Sequence, residues 1–447
     1  MIYHTLLIIF RFALRLYFRK IKVNFEAKLP MDKPILFVSN HQSSFMDAIL
    51  IGTLTKCPLQ FMSRGESFNT PLKRWIFKQF NMNPIYRKEH SPELLSKNSA
   101  LIEGFQRLLL NKHSILIFPE GISHVESRIY PIKSGAARVI LGAQATSAHE
   151  ILLVPIGLNY ENPHRFHSEV LVNVGQSVEM EEYNQLYKKD ERRAVRLLTE
   201  RIKFELDRLT LNVTNEDLEN LFPVIQSLYE TELIEQSPIA LSKDKKTFRI
   251  RKDIIAGMHF ITEKFPDRAK RIRESLCDYQ QLLRQYNIND KWLSTEFQKS
   301  SRQWSGRNIL FYLAGLPISI YGLITHLWII KLPPLMVEKI IKRPDFKGSL
   351  LLSFGVLCFV LFYILQISLF AWIMASFFWT LIFSLSLPLS GAFLLRYIRK
   401  FWQDKDILEF KAYLKNDWQM LEHLNENRQQ LLHQLRLARQ DYMAFAG

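Results

Sequence analysis

From Ser349 to Leu395 the chain carries no Asp, Glu, Lys or Arg. At about 1.5 Å per residue, one helix of that length would far exceed a hydrocarbon core of about 30 Å. The stretch therefore predicts two spans, with a turn near Gln366–Ser368 and with Pro388 and Gly391 kinking or ending the second helix. A further apolar run, Ile309–Ile330, is long enough to span but is interrupted by Gly315, Pro317, Gly322 and His326. Basic residues flank these segments at Arg302 and Arg307, at Lys331, Lys339, Lys342, Arg343 and Lys347, and at Arg396, Arg399 and Lys400. Cytoplasmic flanks carry such an excess. All three clusters stay on one side if residues 309–330 are re-entrant or interfacial and residues 349–395 form a hairpin.

With 447 residues, 48% hydrophobic and 23% charged, the chain is neither disordered nor fibrous and has length for two to four domains. Its 59 Lys and Arg against 43 Asp and Glu give a net charge of +16, which favours an anionic partner such as a membrane surface or a phosphorylated substrate. Nucleic acid fits less well, because no cluster of aromatics on a basic sheet face is evident. Three widely spaced cysteines, Cys57, Cys277 and Cys358, indicate neither a disulfide framework nor a Cys-type zinc site. A reducing, cytoplasm-facing location is the default.

At the amino end, Arg11, Arg15 and Arg19 recur at i, i+4 and i+8 in an otherwise apolar segment. This predicts an amphipathic helix lying in a membrane interface over residues 1–24. The charges follow rather than precede the apolar run and no small-residue cleavage site appears, unlike a signal peptide. An ordinary packed helix is the competing reading.

Between residues 25 and 180, short β-rich runs alternate with helical patterns: PILFVS, LQFMS, NPIYR, SILIFPE, ILLVPIGLNY and EVLVNVG. Alternation of this kind predicts an α/β domain, with a mixed or mostly parallel sheet flanked by helices. Residues 181–307 are charged and glycine-poor and read as a helical region. Residues 308–400 form the helical membrane region, and 401–447 a C-terminal helix.

The candidate chemistry lies in the α/β part. In SNHQSSFMDA, His41 follows a buried-type strand and Asp47 lies just inside the next helix, with Ser43 or Ser44 able to cap it. On an unbroken helix the two would point about 240° apart, but a strand–loop–helix junction can fold the imidazole back over the first turn. His41 then suits a general base with Asp47 orienting it; the plainer reading is an S-x-x-D capping box beside a polar loop histidine. Arg87 and Lys88 end a short strand in NPIYRKE, a position suited to a phosphate or to a solvated basic pair.

The run SILIFPEGISHVESRIYPIKSGAARVIL leads through Glu120 and Gly121 past Ser123, Arg128 and Lys133 to a second glycine turn, opening a helix that bears Arg138. Cations beside a helix start make an anion site, although Gly121 and Gly135 serve ordinary turns equally well. Pro155, within LLVPIGLNY, is unusual in a central strand and marks a bulged pocket wall or an edge. No G-x-S-x-G, phosphate loop, G-x-G-x-x-G or H-E-x-x-H is present. His164 and His167 stand at i, i+3 without acidic or Cys company, so no metal site is expected.

Taken in order, NHQSSFMD, NPIYR, FPEG and VPI resemble the four motifs of the glycerolipid acyltransferase superfamily over roughly Lys33–Gly175. IGLNYENPHRFHSEVLVNVG is similar to the branch acting on glycerol-3-phosphate or dihydroxyacetone phosphate. The resemblance implies that His41 is the base with Asp47 its partner, that Arg87, Glu120 and Gly121 bind the acyl acceptor, and that Pro155 lies near the acyl-chain pocket. Two departures stand out. Five residues, Gln42–Met46, separate His41 from Asp47 where the family usually has four, and Ile122-Ser123-His124 replaces the usual threonine-arginine-serine. Phosphate binding would then rest on Arg87, Lys133, Arg138 or Arg128.

The expected activity is a membrane-bound O-acyltransferase of phospholipid synthesis with its catalytic domain facing the cytoplasm. It would move a fatty acyl group from acyl-CoA or acyl-ACP, the latter bringing acyl carrier protein as a partner, to glycerol-3-phosphate. A thioester is already activated, so neither metal nor bound cofactor is required. The alternatives are acylation of 1-acylglycerol-3-phosphate or another lysophospholipid, and a non-catalytic membrane scaffold or lipid-binding protein that keeps the fold.

Overall fold

The computed structural model describes residues 2–30, 32–55, 58–85, 96–237, 241–294, 297–298 and 306–446. The chain divides into two compact units, residues 1–214 with 336–356, and residues 215–335 with 357–447.

The first unit is built on a seven-stranded sheet. Its strands are β1 (Lys20–Phe25), β2 (Ile35–Ser39), β3 (Leu59–Arg64), β4 (Met82–Ile85), β5 (Ser114–Ile117), β6 (Leu152–Tyr160) and β7 (Glu169–Val174). They run in the order β1-β7-β6-β2-β5-β3-β4, and every neighbouring pair is parallel except β6 with β7. The mixed, mostly parallel sheet expected from the sequence is present. Its central strands read as continuous apolar runs because they are covered on both faces; ILFVS of β2 is buried at every position.

Helices α4 (Ser96–Leu110), α5 (Gly135–Thr146), α6 (Glu181–Lys189) and α7 (Glu191–Leu209) are contiguous in the first unit, and three of them supply one apolar layer with Phe105, Ile140, Leu198 and Ile202. Helices α1 (Ile2–Tyr17) and α2 (Ser44–Leu54) supply the other, with Leu14, Met46, Leu50 and Ile51. A short α3 (Pro71–Gln79) precedes β4 and is capped by the Thr70 side chain. The helical region thus divides, because its first two helices belong to the α/β body.

The amino-terminal helix closes at Tyr17 rather than running to residue 24, since Lys20–Phe25 pairs in parallel with β7. Its basic stripe splits accordingly. Arg11 donates to the Thr53 carbonyl at 2.6 Å and Arg19 pairs with Glu169 at 2.9 Å, while Ile8 and Phe12 stay exposed.

The second unit packs α8 (Glu216–Gln236), α9 (Lys243–Lys264), α10 (Pro266–Gln285) and a carboxy-terminal α14 (Trp418–Ala446) around Leu228, Ile254, Leu276 and Leu424. Between them in sequence come α11 (Gly306–Ile340), α12 (Pro344–Met374) and α13 (Phe377–Asn416). These are the three helices among the described residues that are long and apolar enough to cross a membrane. The break between α12 and α13 falls at Ala375–Ser376, with Ala375 at φ +45°, and α12 passes unbroken through Gln366–Ser368 where the turn was expected. The Gln366 side chain does not break the helix, because it is satisfied across helices by donating to the Thr325 carbonyl of α11 at 3.0 Å. Prolines 317, 333 and 334 lie within α11 and Pro388 within α13 without ending them. Residue 401 likewise opens no new helix, because α13 continues to Asn416 before α14 begins.

Candidate active site

The end of β2 is fixed before the chemistry begins. Asn40 donates to the Leu158 carbonyl at 3.0 Å and accepts the Leu158 N–H at 2.8 Å, tying the strand end to β6. The next residue is His41. The chain then turns at Ser44, whose φ of +38° lies in the left-handed region, and enters α2 with Asp47 in its first turn. Despite the five intervening residues, the two side chains meet, with His41 Nδ1 2.8 Å from Asp47 Oδ2.

Asp47 is fully buried, and both of its carboxylate oxygens are engaged. Oδ2 also accepts the Ser43 N–H at 2.8 Å, and Oδ1 accepts the Tyr160 hydroxyl at 2.7 Å. A buried carboxylate needs such partners. Burial first, then the charge of Asp47, holds the Tyr160 phenol well above its ordinary range, so it remains a donor. Since the carboxylate accepts, His41 carries its neutral-form proton on Nδ1 and presents the Nε2 lone pair. Among the described residues nothing hydrogen-bonds Nε2, and the ring stacks on Phe118 with centroids 4.0 Å apart.

Glu120 joins the neighbouring loop to this one. Its Oε1 accepts the His41 N–H at 2.9 Å, and its Oε2 lies 2.5 Å from His124 Nε2 and accepts the Tyr130 N–H at 2.8 Å. The His124 N–H returns a bond to the His41 carbonyl at 3.1 Å. Both Glu120 oxygens are thus engaged within the protein, and the carboxylate is buried. Gly121 sits at φ +71° in a turn closed by its N–H on the Phe118 carbonyl at 3.1 Å. A Cβ there would come within 3.1 Å of Lys133 Nζ, which places that exposed ammonium over the turn.

The structure brings together His41, Asp47, Glu120, Gly121 and Lys133. Arg138 is exposed on α5, where its Nε lies 3.3 Å from Ser134 Oγ, and no described contact joins it to His41, Glu120 or Lys133. Arg128 lies over the Tyr130 ring, 4.5 Å from its centre. Arg87 and Lys88 lie outside the described residues. Pro155 is buried on β6, paired with Val38 of β2, with its carbonyl accepting the Gly175 N–H at 2.9 Å. It is therefore in an interior strand and not at an edge.

Tyr160, Phe118 and His124 were not singled out as site residues by the sequence. Tyr160 ends a strand in a run that reads as sheet core, and only its pairing across 113 positions brings it to Asp47.

A family model described as Acyltransferase matches residues 20–159. The chain is 32% identical over 190 residues to glycerol-3-phosphate O-acyltransferase 1 of Saccharomyces cerevisiae, covering 41% of this chain and 24% of that protein. It is 31% identical over 284 residues to an uncharacterized acyltransferase of Schizosaccharomyces pombe, covering 62% of this chain and 38% of the relative. A 1-acyl-sn-glycerol-3-phosphate acyltransferase of Chlamydomonas reinhardtii is 29% identical over 110 residues, covering 25% of this chain and 31% of that protein. Each match spans less than two-fifths of the relative's own length.

Proposed function

We propose that the chain, whose residues 20–159 match the Acyltransferase family model and which is similar to glycerolipid acyltransferases, transfers a fatty acyl group from acyl-CoA or acyl-ACP to glycerol-3-phosphate at a membrane. The observation that carries this reading is the His41–Asp47 contact at 2.8 Å, with Nε2 left open. His41 removes the proton from the acceptor hydroxyl as its oxygen attacks the thioester carbonyl. The tetrahedral intermediate then expels the thiolate, which takes up a proton. General-base assistance of this kind contributes on the order of 10²–10⁴-fold. Asp47 keeps the imidazole in the productive tautomer and stabilises the imidazolium.

Lys133 above the Gly121 turn, together with Arg87, supplies positive charge for the acceptor phosphate. Glu120 acts as a positioning residue, because both of its oxygens are committed to the two loops. Pro155 shapes the wall beside the acyl chain. Exposed Ile8 and Phe12 on α1 and the three long apolar helices fit a site held where a lipidic product can leave, with the catalytic domain on the cytoplasmic side.

A second acceptor, 1-acylglycerol-3-phosphate, is favoured by the Chlamydomonas relative, whose name states that substrate. The test is acyl transfer by membranes containing the protein, offered labelled acyl-CoA or acyl-ACP with each acceptor in turn and with His41→Ala membranes as baseline. His41-dependent acylation of glycerol-3-phosphate supports the first reading, and of the lysophosphatidate alone the second. No product above baseline with any pairing would overturn both.

A further inference from the structure

The first turns of α12 enter the catalytic loops. Ser349, fully buried, donates its hydroxyl to the Ser43 carbonyl at 2.7 Å and accepts the Met46 N–H at 2.9 Å, across 303 residues of sequence. Met46 also reaches the Ser43 carbonyl at 2.8 Å, so the hydroxyl closes a ring of hydrogen bonds around the start of α2. An N-cap side chain ordinarily receives an N–H of this first turn. Here, among the described residues, Ser43 makes no side-chain cap bond and its own buried hydroxyl meets no partner. The capping group is supplied instead from α12.

One turn earlier, Asp345 accepts the Ser123 hydroxyl at 2.5 Å and the Arg343 guanidinium at 2.7 and 3.1 Å. Ser123 lies two residues after Gly121 in the second loop of the site, so the same helix start grips both loops. Gly348 permits the close approach, since a Cβ there would fall 2.2 Å from the Pro163 carbonyl oxygen.

We propose that Ser349 is a positioning residue for the His41–Asp47 dyad, and that Asp345 holds the Gly121 loop against it, so that the start of an apolar helix sets the geometry of acyl transfer. This rests on the acyl-transfer reading above. Asp47 receives the Ser43 N–H on one side of the residue whose carbonyl Ser349 holds. Loss of the hydroxyl therefore loosens the segment that sets the Asp47–imidazole distance. Misplacement of a reacting group by about 1 Å can cost on the order of 10²-fold in rate.

The test compares Ser349→Ala, Ser349→Cys and Ser349→Thr in full-length protein in membranes, each in the parental and the His41→Ala backgrounds. Ser349→Ala is expected to lower kcat about tenfold or more, with the acceptor KM within about twofold, and to have no further effect once His41 is gone. Ser349→Cys fills the site with a somewhat larger atom and only a weak donor, and is expected to fall in the same direction should the alanine variant not fold. Ser349→Thr, which keeps the hydroxyl, is expected to restore most of the rate. Parental kcat in the alanine or cysteine variant, or equal losses in both backgrounds, would overturn the inference alone. Equal activity in parent and His41→Ala would overturn the acyl-transfer reading on which it rests.

Discussion

Tyr160 donates its hydroxyl to Asp47 Oδ1 at 2.7 Å, the carboxylate oxygen that His41 leaves open. The dyad is therefore a chain of three side chains, anchored at its far end in β6. Replacing Tyr160 by Phe strands a buried charged acceptor, which costs about 1–3 kcal/mol. A drop in thermal stability is expected together with a kcat loss of about tenfold, since Asp47 is freed to turn from the imidazole. Unchanged melting temperature and rate in Tyr160→Phe membranes would remove Tyr160 from the site.

The same residue gives an alkaline signature. Its folded-state pKa lies well above the ordinary 10, through burial first and Asp47 second. The folded protein thus holds the proton more tightly than the unfolded chain. That contribution is fully present below about pH 10 and is lost as pH rises through the folded pKa. Stability measured from pH 8 to 11 should fall less steeply in Tyr160→Phe than in the parent, the remaining slope including that of Tyr17, which burial also raises.

Replacing Asp47 by Asn keeps the shape of the buried group and removes its charge. The amide oxygen can still accept, but its NH₂ must face the Ser43 N–H, the Tyr160 hydroxyl or the imidazole. Imidazolium stabilisation is lost and the Nδ1–H tautomer is no longer favoured. The expected outcome is a kcat reduced about 10²-fold with acceptor KM little changed, read from initial rates at saturating thioester.

The dyad and most of the sheet were legible because their signals are local. His41 and Asp47 lie six positions apart around a capping signature, and each of the six β-rich runs contains strand among the described residues. What escaped depends on distant pairing. Lys20–Phe25 reads as the continuation of a basic-striped helix, and only the exposed edge of β7 recruits it as a strand. The Ala375–Ser376 turn carries no glycine or proline. Ser349 looks like one more small residue in an apolar run, and its bonds to Ser43 and Met46 have no local counterpart.

Gly121→Ala tests the second loop. Alanine at φ +71° costs about 1–2 kcal/mol, and its methyl would meet Lys133 Nζ at 3.1 Å. Because that ammonium is at the far end of a flexible chain, the protein is expected to fold and the lysine to be displaced. Acceptor KM should rise severalfold, with a smaller effect on the thioester KM. A change confined to the thioester would place Lys133 outside the phosphate site.

His164 reports acid sensitivity beside the same helix start. The Gly348 N–H donates to its Nδ1 at 3.3 Å, and burial first, then Lys347, lowers its pKa. The unfolded chain, with a pKa of about 6.5, binds this proton more readily than the folded one. The contribution is therefore present above about pH 6.5 and is lost as pH falls through the folded value. His164→Asn should flatten the decline of melting temperature between pH 7 and 5; an unaltered slope would assign that decline elsewhere.

Orientation follows from the hold that α12 has on the site. Asp345 and Ser349 bond to the loops of the catalytic domain, so the start of α12 lies on the catalytic side. That start is flanked by Lys339, Lys342, Arg343 and Lys347, the excess expected of a cytoplasmic flank. If α12 and α13 each cross once, the turn at Ala375–Ser376 lies on the opposite side and Gln403 returns to the first. Single cysteines at Lys342, Ala375 and Gln403, in a background lacking Cys57, Cys277 and Cys358, can be labelled with an impermeant maleimide in sealed vesicles. Lys342→Cys and Gln403→Cys should label from one side and Ala375→Cys from the other. Labelling of all three from one side would reject the hairpin, and labelling of Lys342→Cys from the non-cytoplasmic side would place the catalytic domain there with it.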